Sequence, residues 1–315
     1  MIDWTLLNDV FLLSTEELFV YIEQFTKQLG YTVHGGRDRN DTLYLACLPE
    51  KATTHIALVA HCDTIIRKDG VDLYYEGGIL RNRKGVLGAD DRAGVYGLLH
   101  TLAFTKHRPV LFFTNFEESG GTGVKALCDD KRLHDWLIEH DVRLFIELDR
   151  ANNNDYVYYS WDLPDETRAF AESFGFREAV GSYSDVADLT EATTIPHLNL
   201  SIGYKNQHGK NELLSVPDMM RTISALDMML FYEVPQVYIE EQEFEELPDT
   251  TYTWSYSSTE LDEDDWDLAL PARKASSLEY STRGSCFICH GRHMLHDTLL
   301  VCQDCYDYSM AVGRR

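Results

Sequence analysis

The feature that most constrains the fold of this chain is a series of short apolar runs that alternate with helical patterns. Residues 56–60 (IALVA) are apolar throughout, as in a strand buried on both faces, and residues 109–116 (PVLFFTNF) read in the same way. Between them, residues 90–104 (DDRAGVYGLLHTLAF) have a helical pattern. Because strands that alternate with helices form a sheet covered on both faces, we predict an α/β fold: a three-layer α/β/α sandwich with a mixed, mostly parallel central sheet.

Local patterns predict several further elements. Ser14 followed by Glu17 is a capping box at the start of a helix over residues 14–29. Residues 71–82 (VDLYYEGGILRN) form two β-rich runs about a Gly-Gly turn, which predicts a hairpin. A last helix is expected to begin at residues 215–220 (SVPDMM).

The charge of the chain is strongly negative and uneven. With 28 basic and 52 acidic residues the formal net charge is −24, which argues against nucleic-acid binding by the body of the protein. Residues 237–270 contain twelve Asp or Glu and no Lys or Arg, which is typical of a solvated linker. No stretch has the length and hydropathy of a membrane span, and the first residues lack a basic lead, so we expect no membrane contact and a cytoplasmic location.

Four of the seven cysteines form two CxxC pairs with a twelve-residue spacer between them. Thiolates at this spacing are typical of a structural zinc site of ribbon or treble-clef type. The predicted ligands of one zinc ion are Cys286, Cys289, Cys302 and Cys305. Histidines 290, 293 and 296 lie in the spacer, and one of them could replace a cysteine. We therefore predict three regions: a body over residues 1–235, an acidic linker over 236–283, and a zinc module over 284–315 that folds the segment or presents a surface to a protein partner.

Polar residues of the types that bind metals follow most of the apolar runs in the body. The carboxyl ends of parallel strands share one edge of a sheet, so these residues are expected to converge there. They are His61 and Asp63, Asp90 and Asp91, Glu117 and Glu118, Asp149, and His208. So many carboxylates would raise one another's pKa unless cations lay among them, and two divalent metals remove that conflict. Imidazole and carboxylate ligands suit Zn²⁺, with Mn²⁺ or Co²⁺ as alternatives.

The spacing within two of these motifs suggests separate roles. Asp63 could accept a hydrogen bond from the non-ligating nitrogen of His61 and so fix the tautomer of the ring. If residues 117 and 118 are extended, their side chains point to opposite sides, so Glu118 can bind metal while Glu117 faces a substrate water.

The ordered motifs HxD, GADDRAG, EE followed by glycines, a later Asp, and the His of GYKNQHGKNE resemble the co-catalytic di-zinc exopeptidase superfamily over about residues 15–233. That superfamily includes aminopeptidases, tripeptidases, carboxypeptidases and aminoacylases. The resemblance implies that Asp90 bridges two zinc ions, that His61 and Asp149 complete the first site, and that Glu118 and His208 complete the second.

The same resemblance implies that Glu117 is the general base and that Asp63 supports His61. It favours Asp90 over Asp91, since the bridging acid often precedes a cis peptide bond in this superfamily. It also places Ser184 and Asp185 on the lining of the cleft. Many relatives carry a lid domain in one of two intervals, but here 26 residues separate Asp63 from Asp90 and 58 separate Asp149 from His208. Neither interval can hold a domain of that kind.

A lidless, acidic cleft favours a substrate with a free ammonium group. We therefore predict an aminopeptidase or small-peptide hydrolase, with an amide deacylase of N-acyl or aminoacyl substrates or a carboxypeptidase as the alternatives. A nucleophilic role for Cys62 is disfavoured, because on an extended segment it points away from its neighbours. From a different class, the chain could be an adaptor that binds a partner through the linker and the zinc module.

Overall fold

The structure is a computed structural model that describes residues 2–39, 41–65, 70–159, 163–234 and 237. The predicted cysteine module and, apart from residue 237, the predicted acidic linker lie outside these residues. The strands in chain order are β1 (Tyr31–Asp38), β2 (Asp41–Pro49), β3 (Ile56–His61), β4 (Leu73–Glu76), β5 (Ile79–Asn82), β6 (Val110–Thr114), β7 (Leu144–Arg150), β8 (Asp155–Val157), β9 (Arg177–Ala179), β10 (His197–Ser201), β11 (Tyr204–Lys205) and β12 (Leu213–Ser215).

The helices cover both faces of the main sheet. They are α1 (Trp4–Leu12), α2 (Thr15–Gln28), α3 (Ala89–Phe104), α4 (Thr122–Cys128), α5 (Leu133–Glu139), α6 (Asp165–Ser173), α7 (Asp185–Thr193) and α8 (Val216–Met229). Helices α1, α2, α3, α6 and α8 share one apolar core with the sheet, and α4, α5 and α7 share the other. The predicted three-layer sandwich is therefore confirmed.

The main sheet has eight strands in the order β1-β2-β6-β3-β7-β10-β8-β9. Its centre, β6-β3-β7-β10, is parallel, and antiparallel pairs flank this centre on both sides. The carboxyl ends of the four central strands consequently lie at one edge of the sheet. This is the edge that the sequence predicted for the site.

The alternating residues of β3 explain why the run at 56–60 carries no polar side chain. Leu58 and Ala60 belong to the core under α3, while Ala57 and Val59 belong to the core under α4 and α7. All four are completely buried, as expected for a central strand whose two faces are both covered.

Helix α3 is held very close to the sheet. Every residue from Ala89 to Leu102 is buried, because the helix lies between the sheet and helices α1 and α8. A Cβ atom at Gly97 would lie 2.8 Å from Cδ1 of Leu148 and 3.4 Å from Cγ1 of Ile223. The glycine therefore permits the approach that brings the start of α3 over the carboxyl ends of the strands.

The local predictions also agree with the structure. Both halves of the capping box at Ser14 and Glu17 are formed at the start of α2. The Gly-Gly hairpin is β4–β5, and it joins β11 and β12 in a second, four-stranded antiparallel sheet. Within the described residues, this hairpin is the only regular structure between Asp63 and the start of α3. No helix among the described residues has the length and hydropathy needed to cross a membrane.

Candidate metal centre

A first group of metal-ligand side chains lies directly above the central strands. His61 ends β3 and is completely buried. Its Nε2 atom lies 3.2 Å from Oδ1 of Asp90 and 3.6 Å from Oδ1 of Asp149. One ligand atom from each of these three residues lies within 4.8 Å of the others, which is a suitable arrangement for one metal ion.

A second group shares one residue with the first. Nε2 of His208 lies 3.2 Å from Oδ2 of Asp90 and 2.9 Å from Oε2 of Glu118. These three residues also meet the spacing required for a metal ion. The side chain of His208 is 47% exposed, so this second group lies on the open side of the site. The two oxygens of Asp90 therefore face different groups of ligands.

The backbone at the start of α3 turns the Asp90 carboxylate toward both groups. Gly88 has φ of 73°, and Asp90 and Asp91 have non-helical dihedral angles. The Asp90–Asp91 peptide bond is cis, as the resemblance implies. Asp91 is completely buried, and its Oδ1 atom accepts a 2.8 Å hydrogen bond from the Gly94 amide, so this carboxylate caps the helix instead of facing the site.

Glu117 and Glu118 lie on a 3-10 turn over Glu117–Ser119 and not on an extended segment. The extended geometry that we expected to separate their side chains is therefore wrong. The turn is held by Asp63, whose Oδ1 and Oδ2 atoms accept hydrogen bonds of 3.2 Å from the Glu117 and Glu118 amides. Asp63 thus positions both glutamates, a role that its place two residues after His61 did not suggest.

Asp63 lies beside His61 as expected, although the predicted hydrogen bond between them is not formed. Nδ1 of His61 lies 3.4 Å from Oδ1 of Asp63, outside the alignment of a hydrogen bond. The Asp63 carboxylate consequently lies next to Nδ1, the ring nitrogen of His61 that faces away from Asp90 and Asp149. This arrangement leaves Nε2 directed at the two carboxylates.

The electrostatics of the site favour a cation. Burial and the Asp90 charge raise the pKa of Asp149 well above its ordinary value, and the same two causes raise the pKa of Glu118 to about 7. A hydrogen bond to Asp90 raises the pKa of His208 to about 9. Oε1 of Glu118 is buried without a hydrogen-bond partner. A divalent ion would relieve the carboxylate repulsion and use this free oxygen, so the residues present fit metal binding.

Several supporting residues were missed by the sequence analysis. Tyr204 donates a 3.2 Å hydrogen bond to Oδ1 of Asp149. The Asn199 side chain accepts a 2.9 Å hydrogen bond from the Asp149 amide and donates a 3.0 Å hydrogen bond to the Asp149 carbonyl. Glu147 is completely buried on β7, where burial raises its pKa to about 8. It lies two residues before Asp149 and so on the same face of the strand, which is a pattern that could have identified it.

Ser184 and Asp185 do not line the cleft, because both side chains are completely buried. The Ser184 hydroxyl donates to Glu147 and lies 3.4 Å from Oδ2 of Asp149, while Asp185 accepts a hydrogen bond from Thr114. They form a buried layer behind the ligands. The prediction that they line the cleft is wrong for this reason.

Cys62 is a buried structural residue, as expected. It is completely inaccessible, and burial raises the pKa of its thiol far above the ordinary value. A thiol in such an environment is a poor nucleophile.

The sheet edge and the two ligand groups are those expected of a metal-dependent protein with an α/β fold. A protein-family comparison matches residues 44–201 to Peptidase family M28, which is half of the chain. The chain belongs to Peptidase family M28 and is a metallopeptidase, whose substrates are peptides. Zinc dependence is a property of that family, and the ligand groups described above are consistent with it. A comparison with curated protein sequences gives no match.

Solved structures share the fold at low sequence identity. Aminopeptidase PepT from Bacillus cereus is 15% identical with a TM-score of 0.59, and the match covers 72% of this chain and 96% of PepT. A tripeptidase from Staphylococcus aureus is 15% identical with a TM-score of 0.57, covering 73% and 98%. Aminopeptidase APDkam598 from Desulfurococcus kamchatkensis is 10% identical with a TM-score of 0.53, covering 72% and 93%.

Proposed function

We propose that this metallopeptidase is a two-zinc exopeptidase that removes the amino-terminal residue of small peptides. The observation that carries the proposal is the Asp90 carboxylate, which directs Oδ1 to His61 and Oδ2 to His208, each at 3.2 Å. A carboxylate that faces two separate ligand groups is suited to bridge two ions. A site for one ion would leave one of these oxygens, and the ligand group that faces it, without a bound ion.

The proposed ligands divide evenly between the two ions. His61 and Asp149 would hold the first, Glu118 and His208 would hold the second, and Asp90 would be a ligand of both. Mixed imidazole and carboxylate ligands suit Zn²⁺, and Mn²⁺ or Co²⁺ are alternatives at such sites. When bound, the ions polarise the scissile carbonyl and lower the pKa of the attacking water.

Glu117 is the proposed general base. Its carboxylate accepts a proton from the attacking water and donates it to the leaving amine. Burial raises the pKa of Glu117, which favours a group that must both accept and release a proton. The hydrogen bonds from its turn to Asp63 hold it beside the ligand Glu118.

The preference for an amino terminus rests on charge and openness. The chain as a whole has a net charge of −24, which favours the approach of a peptide ammonium group over that of a peptide carboxylate. The side chain of His208 is about half exposed. The described residues between Asp149 and His208 form strands of the main sheet, two helices that cover this sheet, and β11, and none of them forms a lid domain. The aminopeptidase and tripeptidase activities named for two similar folds agree with this choice.

The carboxyl-terminal region has a separate proposed role. Cys286, Cys289, Cys302 and Cys305 bind one structural zinc ion, on the strength of their CxxC spacing. This module and the acidic linker are proposed to bind a protein partner in the cytoplasm. Replacing Cys286 and Cys302 with Ser should release one zinc ion and leave peptide hydrolysis intact, because a closed thiolate site performs no catalysis.

A matched set of substrates tests the proposed end specificity. The zinc-loaded full-length chain is offered one tripeptide in three forms: unmodified, with an acetylated amino terminus, and with an amidated carboxyl terminus. We expect hydrolysis of the unmodified and amidated forms, release of the first residue, and no cleavage of the acetylated form. Cleavage of the acetylated form alone would indicate a deacylase, and cleavage of the unmodified and acetylated forms without the amidated form would indicate a carboxypeptidase. Absence of hydrolysis in all forms, with a partner bound through the carboxyl-terminal region, would support the adaptor alternative.

A further inference from the structure

The loop that carries His208 is tied at its base to the start of helix α3. Strands β11 and β12 pair between Lys205 and Leu213, so the intervening residues form the loop of a hairpin. His208 lies at its exposed tip with φ of 65°, and Glu212 lies at its buried end. The side chain of Glu212 is 1% exposed.

The carboxylate of Glu212 accepts three hydrogen bonds from the backbone at the start of α3. Its Oε2 atom accepts from the Gly88 amide at 2.7 Å, and its Oε1 atom accepts from the Ala89 amide at 2.8 Å and the Asp90 amide at 3.3 Å. Asp90 and Asp91 have non-helical dihedral angles, so these three amides precede the regular part of the helix, which the Asp91 carboxylate caps. The three amides are satisfied instead by a carboxylate more than 120 residues away along the chain.

This contact joins the two elements that supply ligands to the second metal group. Asp90 is itself one of the three amide donors, and His208 lies four residues before Glu212 in the same loop. The contact between Nε2 of His208 and Oδ2 of Asp90 therefore closes a short ring of contacts, which runs from Asp90 to Glu212 and along the loop to His208. His61 and Asp149 lie on strands β3 and β7 and are connected to this ring only through Asp90.

We propose that Glu212 is a positioning residue that sets the separation of Asp90 and His208 and thereby the affinity of the second metal ion. The inference rests on the proposed two-metal function. Glu212 does not contact the reacting atoms, since its oxygens face the α3 amides. Its effect on hydrolysis is exerted through the geometry of the ligands.

A substitution that preserves shape tests this inference. In Glu212→Gln one carboxylate oxygen becomes an NH₂ group, which meets the amide donors with a donor and breaks at least one of the three bonds. Zinc binding to the metal-free full-length chain is measured by competition with a chelator, with wild type and variant side by side so that ions bound elsewhere cancel. We expect one ion of the catalytic pair to bind about 10 to 100 times more weakly and the other to be nearly unchanged.

The controls separate positioning from a general loss of structure. Glu139→Gln makes the same chemical change on the exposed surface of α5 and should leave both affinities unchanged. Glu212→Asp keeps the charge and should restore part of the lost affinity, and it serves as the test variant if Glu212→Gln does not fold. Equal weakening of both ions, with a lowered melting temperature, would show that Glu212 only stabilises the fold and would overturn the inference.

The same titration distinguishes this inference from the proposed function on which it rests. A wild-type chain that binds fewer than two ions at the catalytic site contradicts the two-metal proposal. A wild-type chain that binds two ions, together with a Glu212→Gln variant that binds both equally well, contradicts the positioning role alone.

Discussion

Two completely buried histidines at opposite ends of the sheet have opposite surroundings. His197 begins β10, where its Nε2 accepts a 3.0 Å hydrogen bond from the Tyr159 amide and its Nδ1 donates to Thr190 at 2.7 Å. Both nitrogens are satisfied, and burial lowers the pKa of this ring to about 3. His61 ends β3 among carboxylates, and its pKa is raised well above the ordinary value by Asp149 in spite of burial.

The contrast between His197 and His61 shows that burial alone does not identify a metal ligand. We call His197 the closed histidine, because it is neutral and each of its two ring nitrogens already has a hydrogen-bond partner within the protein. The ring of His61 directs one nitrogen at two carboxylates that repel each other, an arrangement completed by a cation. Substitutions at the metal centre should therefore change catalysis and zinc binding, whereas substitution of His197 should change only the pH dependence of stability.

The largest effect is expected for Glu117→Gln. The amide cannot accept the proton of the attacking water, so turnover should fall by about 10²- to 10⁴-fold. Because Glu117 is not a proposed ligand, zinc content should match that of wild type, measured by elemental analysis on the samples used for kinetics. Glu139→Gln is the exposed control. Unchanged turnover with full metal content would refute the role of Glu117.

The second effect is the loss of stabilisation by zinc in Asp90→Asn. Zinc at about 100 times its dissociation constant should stabilise the wild-type chain by about 2.7 kcal/mol for each ion bound, because the ions bind the folded state. The variant weakens ligands of both ions and should lose most of this stabilisation, measured as the shift in melting temperature on adding zinc. His197→Gln, at the closed histidine, is the control and should keep the zinc-dependent shift. An unchanged shift in Asp90→Asn would place the ions elsewhere.

The third effect concerns pH and the closed histidine. The pKa of His197 is about 3 in the folded state and lies near 6.5 in the unfolded state, so the unfolded state binds more protons between these values. His197 therefore contributes a loss of stability of up to about 1.4 kcal/mol per pH unit as the pH falls below 6.5. Urea unfolding of the metal-free chain at several pH values should show a shallower pH dependence for His197→Gln than for wild type. Parallel curves would mean that His197 has the same pKa in the folded and unfolded states.

The smallest effect is expected for Tyr204→Phe, which removes the 3.2 Å hydrogen bond to Oδ1 of Asp149 and leaves the ring in place. Removal of a hydrogen bond that orients a metal ligand typically weakens metal binding by about tenfold or more. Zinc competition should show this loss at the ion bound by Asp149. The matched control is Tyr156→Phe, at a completely buried tyrosine in β8, and it should leave the zinc affinity unchanged. Equal behaviour of the two variants would remove Tyr204 from the site.

The sequence predicted the parts of the fold and site that have a local pattern. The apolar run ending at His61 identified a central strand, and the capping box at Ser14 located the start of α2. The convergence of His61, Asp90, Glu118, Asp149 and His208 followed from the rule that parallel strands share one edge, combined with the order of the motifs. These features need only neighbouring residues or a single topological rule.

The missed features depend on contacts between distant residues. Glu212 bonds amides 122 to 124 positions earlier, and Tyr204 reaches Asp149 across 55 positions, so no local period reveals either contact. The segment at Glu117 was wrongly predicted to be extended, since the acceptor that holds its turn is Asp63, 54 residues away. Ser184 and Asp185 were placed on the surface of the cleft because a motif does not report depth.

Anomalous diffraction at the zinc edge, from crystals grown with zinc, can locate the two cations that we propose to share the Asp90 carboxylate. We expect two peaks among these side chains, one between Asp90 and His61 and the other between Asp90 and His208. A single peak, or a site without zinc in which these side chains keep their separations, would contradict a shared two-ion site.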